Sequence, residues 1–297
     1  MQRDENDSMQ VTILGSGASE GIPAFLCECS VCANARRRRG KEVRQNSFAM
    51  LTASSGESLL IDLPPHFKMS LDHRRFSSAS LCGILVTHRH DDHSLGLPYL
   101  WDARIENQQR TELPLPAYMP QDVFDLRVRP VLPASGSDSP AEAHRAVEAR
   151  IAHPFREFVV GPFSVTPLET NHLGGDDCSA ESDTGPCAQD FGYLIEDSDG
   201  KRMAYVVDAS AMLPPATSHH LRASPLDCLV YECTFAECAP AQGHCDIKGL
   251  RRVAREASPR RMIATHIGHG NLSHRALARA LRPAGIEVAF DGMRVKI

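Results

Sequence analysis

The sequence lacks any run of about eighteen apolar residues, which excludes a membrane-spanning helix. Its opening, MQRDENDSMQ, has no apolar stretch of the kind that exports a chain, so no secretory signal is expected there and a cytoplasmic location is. Net positive charge is also missing. The 32 Lys and Arg against 37 Asp and Glu leave −5 at neutral pH, which argues against a protein that coats nucleic acid. The one dense basic run, Arg36 to Arg39, reads as a solvated face. No linker or internal repeat divides the 297 residues, so a single domain over 1–297 is expected, with residues 1–9 a disordered tail. Without a secretion signal, the ten cysteines read as thiols and metal ligands rather than disulfides.

What is present is a 42% hydrophobic, 23% charged composition typical of a globular protein. Several short apolar runs end in a polar residue able to do chemistry. VTILGSG (11–17) reads as a strand entering a glycine loop, and SLLIDLP (58–64) as a strand ending at Asp62. AYVVDAS (204–210) ends at Asp208, and RMIATHIGHG (261–270) at His266; DCLVYECTF (227–235) is a further strand. Such continuous runs suit strands buried on both faces. IKGLRRVAREA (247–257) and SHRALARALRPAG (273–285) carry helical patterns. The expectation is an α/β protein in layers, with functional side chains at strand ends. Residues 133–145 and 173–190 read as loops or insertions.

The strongest signal is LVTHRHDDH (85–93). His88, His90, Asp92 and His93 put four ligand-type residues into six positions directly after an apolar run. A histidine-rich surface turn would be the bland alternative, and that density disfavours it. Imidazole and carboxylate together suit zinc, manganese or iron. Other strand ends offer more donors: His172 after SVTPLETN, Asp208 after AYVV, and His266 after RMIAT.

In order and spacing these residues resemble the metallo-β-lactamase superfamily, over essentially the whole chain. The resemblance implies an αββα sandwich with the site at the strand ends. It makes Asp62 the buried carboxylate that braces the metal loop. It gives His88, His90 and His172 to one metal, and Asp92, His93 and His266 to the other. Asp208 would bridge the two together with a water. Two cations so placed lower the pKa of the shared water and neutralise charge on a phosphoryl or ester oxygen.

FLCECSVCANARRRRG (25–40) holds Cys27, Cys29 and Cys32 at C-x-C-x-x-C spacing. That is not the C-x-x-C of a thioredoxin-like redox motif. Three thiolates make three corners of a tetrahedral zinc site. His269, three residues beyond His266, can supply the fourth and close a structural Cys3His site. GSGASEGIPAFLCECSVCANARR, LVTHRHDDHSLGL and the ending THIGHGN…GIEVAFDGM together resemble the PhnP-type phosphodiesterases of the carbon–phosphorus lyase pathway. That family opens 5-phosphoribosyl 1,2-cyclic phosphate to the 1,5-bisphosphate.

This resemblance implies a small phosphorylated substrate, two catalytic divalent ions (manganese or zinc) and one structural zinc. Neither nucleic acid nor membrane is expected as a partner, and a homodimer is left open. It also gives His244, in GHCDIKGL, contact with the phosphate and protonation of the leaving oxygen, alongside Asp92 and Asp208 as catalytic groups. His66, His73, His144, His153, His219, His220 and His274 read as surface or packing residues, and Cys82 and Cys228 as core thiols. Cys178 and Cys187 fall in the 173–190 insertion, a flexible loop placed to lie over the site. YECTF…GHCDIKGLRRVAREA…THI also resembles the tRNA 3′-end endonucleases, although no long basic arm accompanies it. The clustered N-terminal cysteines resemble those of the PqqB family of quinone cofactor biosynthesis.

Overall fold

A computed structural model describes residues 9–73, 76, 78–101, 114–132, 147–172, 189–237 and 243–297. Along the chain, β1 (Gln10–Gly15) leads through α1 (Ser30–Arg38) to β2 (Phe48–Thr52) and β3 (Ser58–Ile61). Then follow α2 (Phe67–His73), β4 (Leu81–Leu85), α3 (Asp91–Ser94), α4 (Leu97–Trp101), β5 (Leu115–Met119), α5 (Gln121–Val123) and β6 (Val147–Ile151). Next come β7 (Phe158–Val160), β8 (Phe163–Glu169), β9 (Phe191–Asp197), β10 (Arg202–Val206), α6 (Pro215–Arg222) and β11 (Cys228–Glu232). The described chain closes with α7 (Ile247–Ala257), β12 (Met262–Thr265), α8 (His274–Leu281), β13 (Ile286–Val288) and β14 (Met293–Lys296).

The strands build two seven-stranded sheets, ordered β14-β1-β2-β3-β4-β5-β6 and β13-β12-β11-β10-β9-β8-β7. Each sheet has one pattern, three antiparallel pairings followed by three parallel ones. In the first the change falls at β3, and in the second at β10. The two-residue period of a strand explains the layers. In β10, Met203 and Tyr205 enter the core between the sheets, while Ala204 and Val206 face a helical layer. Val230 and Leu229 divide in the same way in β11, and Leu85 and Ile84 in β4. Runs that are apolar at every position are therefore buried on both faces. Leu221 of α6, Leu250 and Val253 of α7, and Leu277 and Leu281 of α8 cover one sheet. Phe67 of α2 and Leu97 of α4 cover the other. This is the αββα sandwich the sequence implied.

Two boundaries differ from the sequence reading. Met9, assigned to the tail, is fully buried, and its carbonyl accepts from the Ile297 amide at 2.8 Å. The last helical pattern ends early, because Pro283 turns residues 282–284 into a 3₁₀ turn after α8. Of the anticipated insertions, 133–145 and residues 173–188, with Cys178 and Cys187, lie outside the described residues, as does His144. No helix among the described residues is long and apolar enough to cross a membrane.

Candidate metal centre and active site

Five strand ends meet at one end of the sandwich. Asp62 follows β3, the His88–His93 loop follows β4, and His172 follows β8; Asp208 follows β10 and His266 follows β12. Asp62, Asp208 and His266 take left-handed backbone angles (φ of 67°, 49° and 52°). Non-glycine residues seldom adopt these, and they cost energy that the surrounding fold must hold in place. In each case the strand stops and the next side chain is turned towards its neighbours across the sheets.

His88, His90 and His172 bring ring nitrogens together: His90 Nδ1 lies 3.0 Å from His88 Nε2 and 3.3 Å from His172 Nε2. A second group forms around Asp208. Its Oδ2 is 3.0 Å from His93 Nε2 and 3.3 Å from His266 Nε2, and its Oδ1 is 3.7 Å from His172 Nε2. Asp92 Oδ2 completes that side, 3.3 Å from His93 Nε2 and 3.7 Å from His266 Nε2. All seven anticipated ligands thus come together, Asp208 between the two triads.

The other ring nitrogens are anchored. His93 Nδ1 is 2.8 Å from Asp62 Oδ2, and His88 Nδ1 is 2.9 Å from Thr87 Oγ1. His266 Nδ1 is 2.9 Å from Thr234 Oγ1, and His172 Nδ1 is 3.2 Å from the Gly243 carbonyl. We assign the proton of each to Nδ1, which donates outward and leaves the Nε2 lone pair facing in. Gly243 approaches so closely, at φ 65°, that a Cβ there would sit 2.9 Å from the His172 carbonyl oxygen. Asp62 also accepts from the Thr87 amide at 2.8 Å and is fully buried, as the bracing role requires.

A divalent cation fits this donor set. His93 Nε2, His266 Nε2 and Asp208 Oδ2 are buried with no hydrogen-bond partner, a state that is costly without a cation between them. Burial holds His88 and His90 well toward the neutral form that a ligand needs. Burial also opposes charge on His93, yet Asp92, Asp62 and Asp208 outweigh it and drive that imidazole up; Asp208 and Asp92 do the same for His266. The cluster carries negative charge that calls for positive charge at its centre.

The cysteine loop forms a separate cluster. Cys27 Sγ lies 3.2 Å and Cys29 Sγ 3.8 Å from His269 Nδ1, and with Cys32 the four donor atoms are mutually within 4.8 Å. Cys29 caps α1, and the Cys32 amide donating to its sulfur lowers its pKa to about 6. Burial raises Cys32 to about 11. Arg36 is not merely a solvated member of a basic run: it donates to the carbonyls of Cys27 at 2.5 Å and Ala24 at 3.1 Å, fastening this loop.

His244 stands at the mouth of the centre, its Nδ1 3.6 Å from Asp208 Oδ1 and 3.0 Å from Glu232 Oε1. Sequence reasoning assigned nothing to Glu232, although an acid at the end of the apolar run CLVYE was a visible signal. It is fully buried. It accepts from the amides of Ala209 (2.6 Å) and Cys245 (3.1 Å) and from the Thr234 hydroxyl (2.5 Å). Burial works against charge on His244, but the bond to Glu232 and the nearby carboxylates raise its pKa to about 9. Asp190 was also missed, having been read as part of an insertion; it is buried and accepts from the His172 amide at 2.9 Å. Cys228 lies in the inter-sheet core, and Cys82 packs against it.

A family profile described as the beta-lactamase superfamily domain matches residues 59–267. The chain belongs to the metallo-β-lactamase superfamily. Among solved members of this fold, a diphosphatase of the PhnP family superposes with a TM-score of 0.74 at 24% identity, over 97% of each chain. Coenzyme PQQ synthesis protein B of Ruegeria pomeroyi is 26% identical, over 97% of this chain and 99% of its own length. Ribonuclease Z of Kineococcus radiotolerans is 27% identical, over 82% and 85%. An octanoyltransferase of Porphyromonas gingivalis is 29% identical over 55% of this chain, a match that spans 31% of that protein. The full-length relatives it resembles carry different names, so the substrate has to be argued from the site.

Proposed function

We propose that the protein is a dinuclear metal-dependent phosphodiesterase that opens a small cyclic phosphate, 5-phosphoribosyl 1,2-cyclic phosphate or a close analogue. The observation that carries this reading is the meeting of seven donor side chains with a histidine whose ring lies 3.0 Å from a buried glutamate. His88, His90 and His172 would hold one ion, Asp92, His93 and His266 the other, and Asp208 both. When bound, two divalent ions supply an acidified water as nucleophile and neutralise phosphoryl charge. Burial opposes charge on Asp92 and Asp208, but positive charge at the centre would keep both carboxyls ionised, the form in which they serve beside the nucleophile. His244 binds the phosphate and gives its proton to the departing alkoxide, with Glu232 orienting its ring. Cys27, Cys29, Cys32 and His269 would hold a third ion, zinc, with no position left for substrate.

A nuclease reading is favoured by the identity to ribonuclease Z, since His244 and Glu232 would serve a polynucleotide diester equally. The test is the manganese-loaded protein on bis(p-nitrophenyl) phosphate, 5-phosphoribosyl 1,2-cyclic phosphate and a precursor tRNA. Turnover of the first two with the tRNA left intact is expected. Cleavage of the tRNA without turnover of the cyclic phosphate would transfer the protein to the nucleases. Inertness toward every diester would overturn the hydrolytic reading.

A further inference from the structure

The loop that carries His88, His90, Asp92 and His93 has little of its own to hold it. Its helical part, α3, is a single turn of four residues, too short to persist alone. Its inner end is fixed to the segment after β3: the Leu63 amide donates to the His93 carbonyl and the Gly96 amide to the Leu63 carbonyl, each at 2.8 Å. Its outer end, Arg89 to Asp91, is held by a side chain from the next strand. β4 and β5 pair in parallel, so the segments that follow them meet at one edge of the sheet. After β5 and α5, residues Phe124–Val128 form a π-helical turn anchored by the buried Val123 and Val128, and Arg127 reaches from it to the histidine loop. Such wide turns are rare and recur at functional sites. Arg127 Nε donates to Ser94 Oγ at 2.9 Å, and its Nη2 to the Arg89 carbonyl at 3.0 Å and to the Asp91 carboxylate. Ser94 Oγ in turn lies 2.9 Å from the carbonyl oxygens of both Arg89 and His90. The two peptide groups flanking His90 are thereby tied to one guanidinium. The Arg127 side chain is only 13% exposed, so these charge-assisted bonds are little weakened by solvent.

We propose that Arg127 is a positioning residue of the metal centre. Through the fork of its Nε and Nη2 it fixes where His90 stands relative to His88 and Asp92, and so sets the affinity of the loop for divalent ions. A planar guanidinium satisfies two acceptors at a fixed spacing, which a lysine ammonium cannot. The inference rests on the dinuclear part of the proposed function and is independent of which diester, if any, the protein cleaves.

The experiment compares wild type with Arg127→Ala, Arg127→Lys and Ser94→Ala. Manganese is titrated into each metal-depleted protein and followed by electron paramagnetic resonance, and the visible absorption of the cobalt(II)-loaded proteins reports ligand geometry. Arg127→Ala should bind manganese roughly 10–100-fold more weakly, the range for losing a group that orients metal ligands, with displaced cobalt bands. Arg127→Lys keeps the charge but loses the fork, and should show most of the same loss. Ser94→Ala should also weaken binding, and should cost less in the Arg127→Ala background than in wild type, because the two side chains act as one unit. A lowered Tm with wild-type manganese affinity and an unchanged cobalt spectrum in either Arg127 variant would make Arg127 a packing residue and overturn the proposal. Should Arg127→Ala fail to fold, Arg127→Lys and Ser94→Ala decide the question by the same two measurements. Wild-type protein that takes up no manganese would instead overturn the metal centre, and this role with it.

Discussion

Replacing Glu232 by glutamine keeps the shape of the side chain and removes its charge. In the native site that carboxylate, with Asp208 and Asp92 behind it, holds His244 at about 9 against the opposing effect of burial. With the charge gone, the imidazole should fall back toward its ordinary value near 6.5. The difference, about 2.5 pH units, corresponds to about 3 kcal/mol of preference for the protonated ring. His244 has a side chain only 19% exposed, so solvent screens little of this. If the protonated ring is the group that delivers a proton to the leaving oxygen, kcat/KM on a cyclic alkyl phosphate should decline on the alkaline side. That limb should lie at lower pH in Glu232→Gln than in wild type. Bound cations act on both proteins alike, so the displacement between the two profiles isolates Glu232. Stability should follow with a defined sign. A raised folded-state pKa stabilises fully below about pH 6.5, and the contribution is lost as pH rises through about 9. The loss of Tm in Glu232→Gln should therefore be largest near pH 6 and shrink above pH 9. Superimposable alkaline limbs, with metal content equal, would refute the assignment of His244 as the proton donor.

Asp208→Ala removes the side chain shared by both triads. It should weaken metal binding by more than the 10–100-fold typical of outer-sphere changes and nearly abolish turnover; full activity at full metal content would contradict the bridging role. Cys29→Ser should lower zinc content by about one ion per chain and reduce Tm, while the folded fraction keeps its kcat; equal zinc content in variant and wild type, by elemental analysis, would remove the third site. His244→Ala should retain its metals and lose far more kcat/KM on a cyclic alkyl phosphate than on bis(p-nitrophenyl) phosphate, whose leaving group needs no proton. Loss of an ion from that variant would instead make His244 a ligand.

The elements legible in the sequence were those where local pattern and burial agree. The apolar runs ending at Asp62, His88, Asp208 and His266 are strands buried on both faces, and their density of metal-type donors stood out for the same reason. Strands such as β2 and β14 escaped notice because their alternation is short and each is fixed by pairing with β1, a long-range contact. The repeated pairing pattern of the two sheets is invisible in sequence because it resides in hydrogen bonding and not in shared residues. Glu232 and Asp190 were missed for a related reason. Each acts through a partner distant in the chain, Glu232 on Ala209 and Asp190 on His172. An isolated acid inside or beside an apolar run looks alike whether it holds a catalytic ring or merely ends a strand.

The cysteine cluster has a topological consequence. Cys27 and His269 are 242 positions apart, so a metal held between them ties the first tenth of the chain to the last tenth. Cross-linking a loop of that length removes chain entropy from the unfolded ensemble equivalent to about 5 kcal/mol on the simple closure relation. The backbone beside it is already laced: the Ile267 amide donates to the Ser16 carbonyl at 2.9 Å, and the Ala18 amide to the Ile267 carbonyl at 3.1 Å. During synthesis this clasp cannot shut until residue 269 has emerged, by which time most strands of both sheets have been made. The ion would then act as a final latch, fastening the loop after β1 to the one after β12 and so keeping the strand ends of the two sheets in register around the reaction centre.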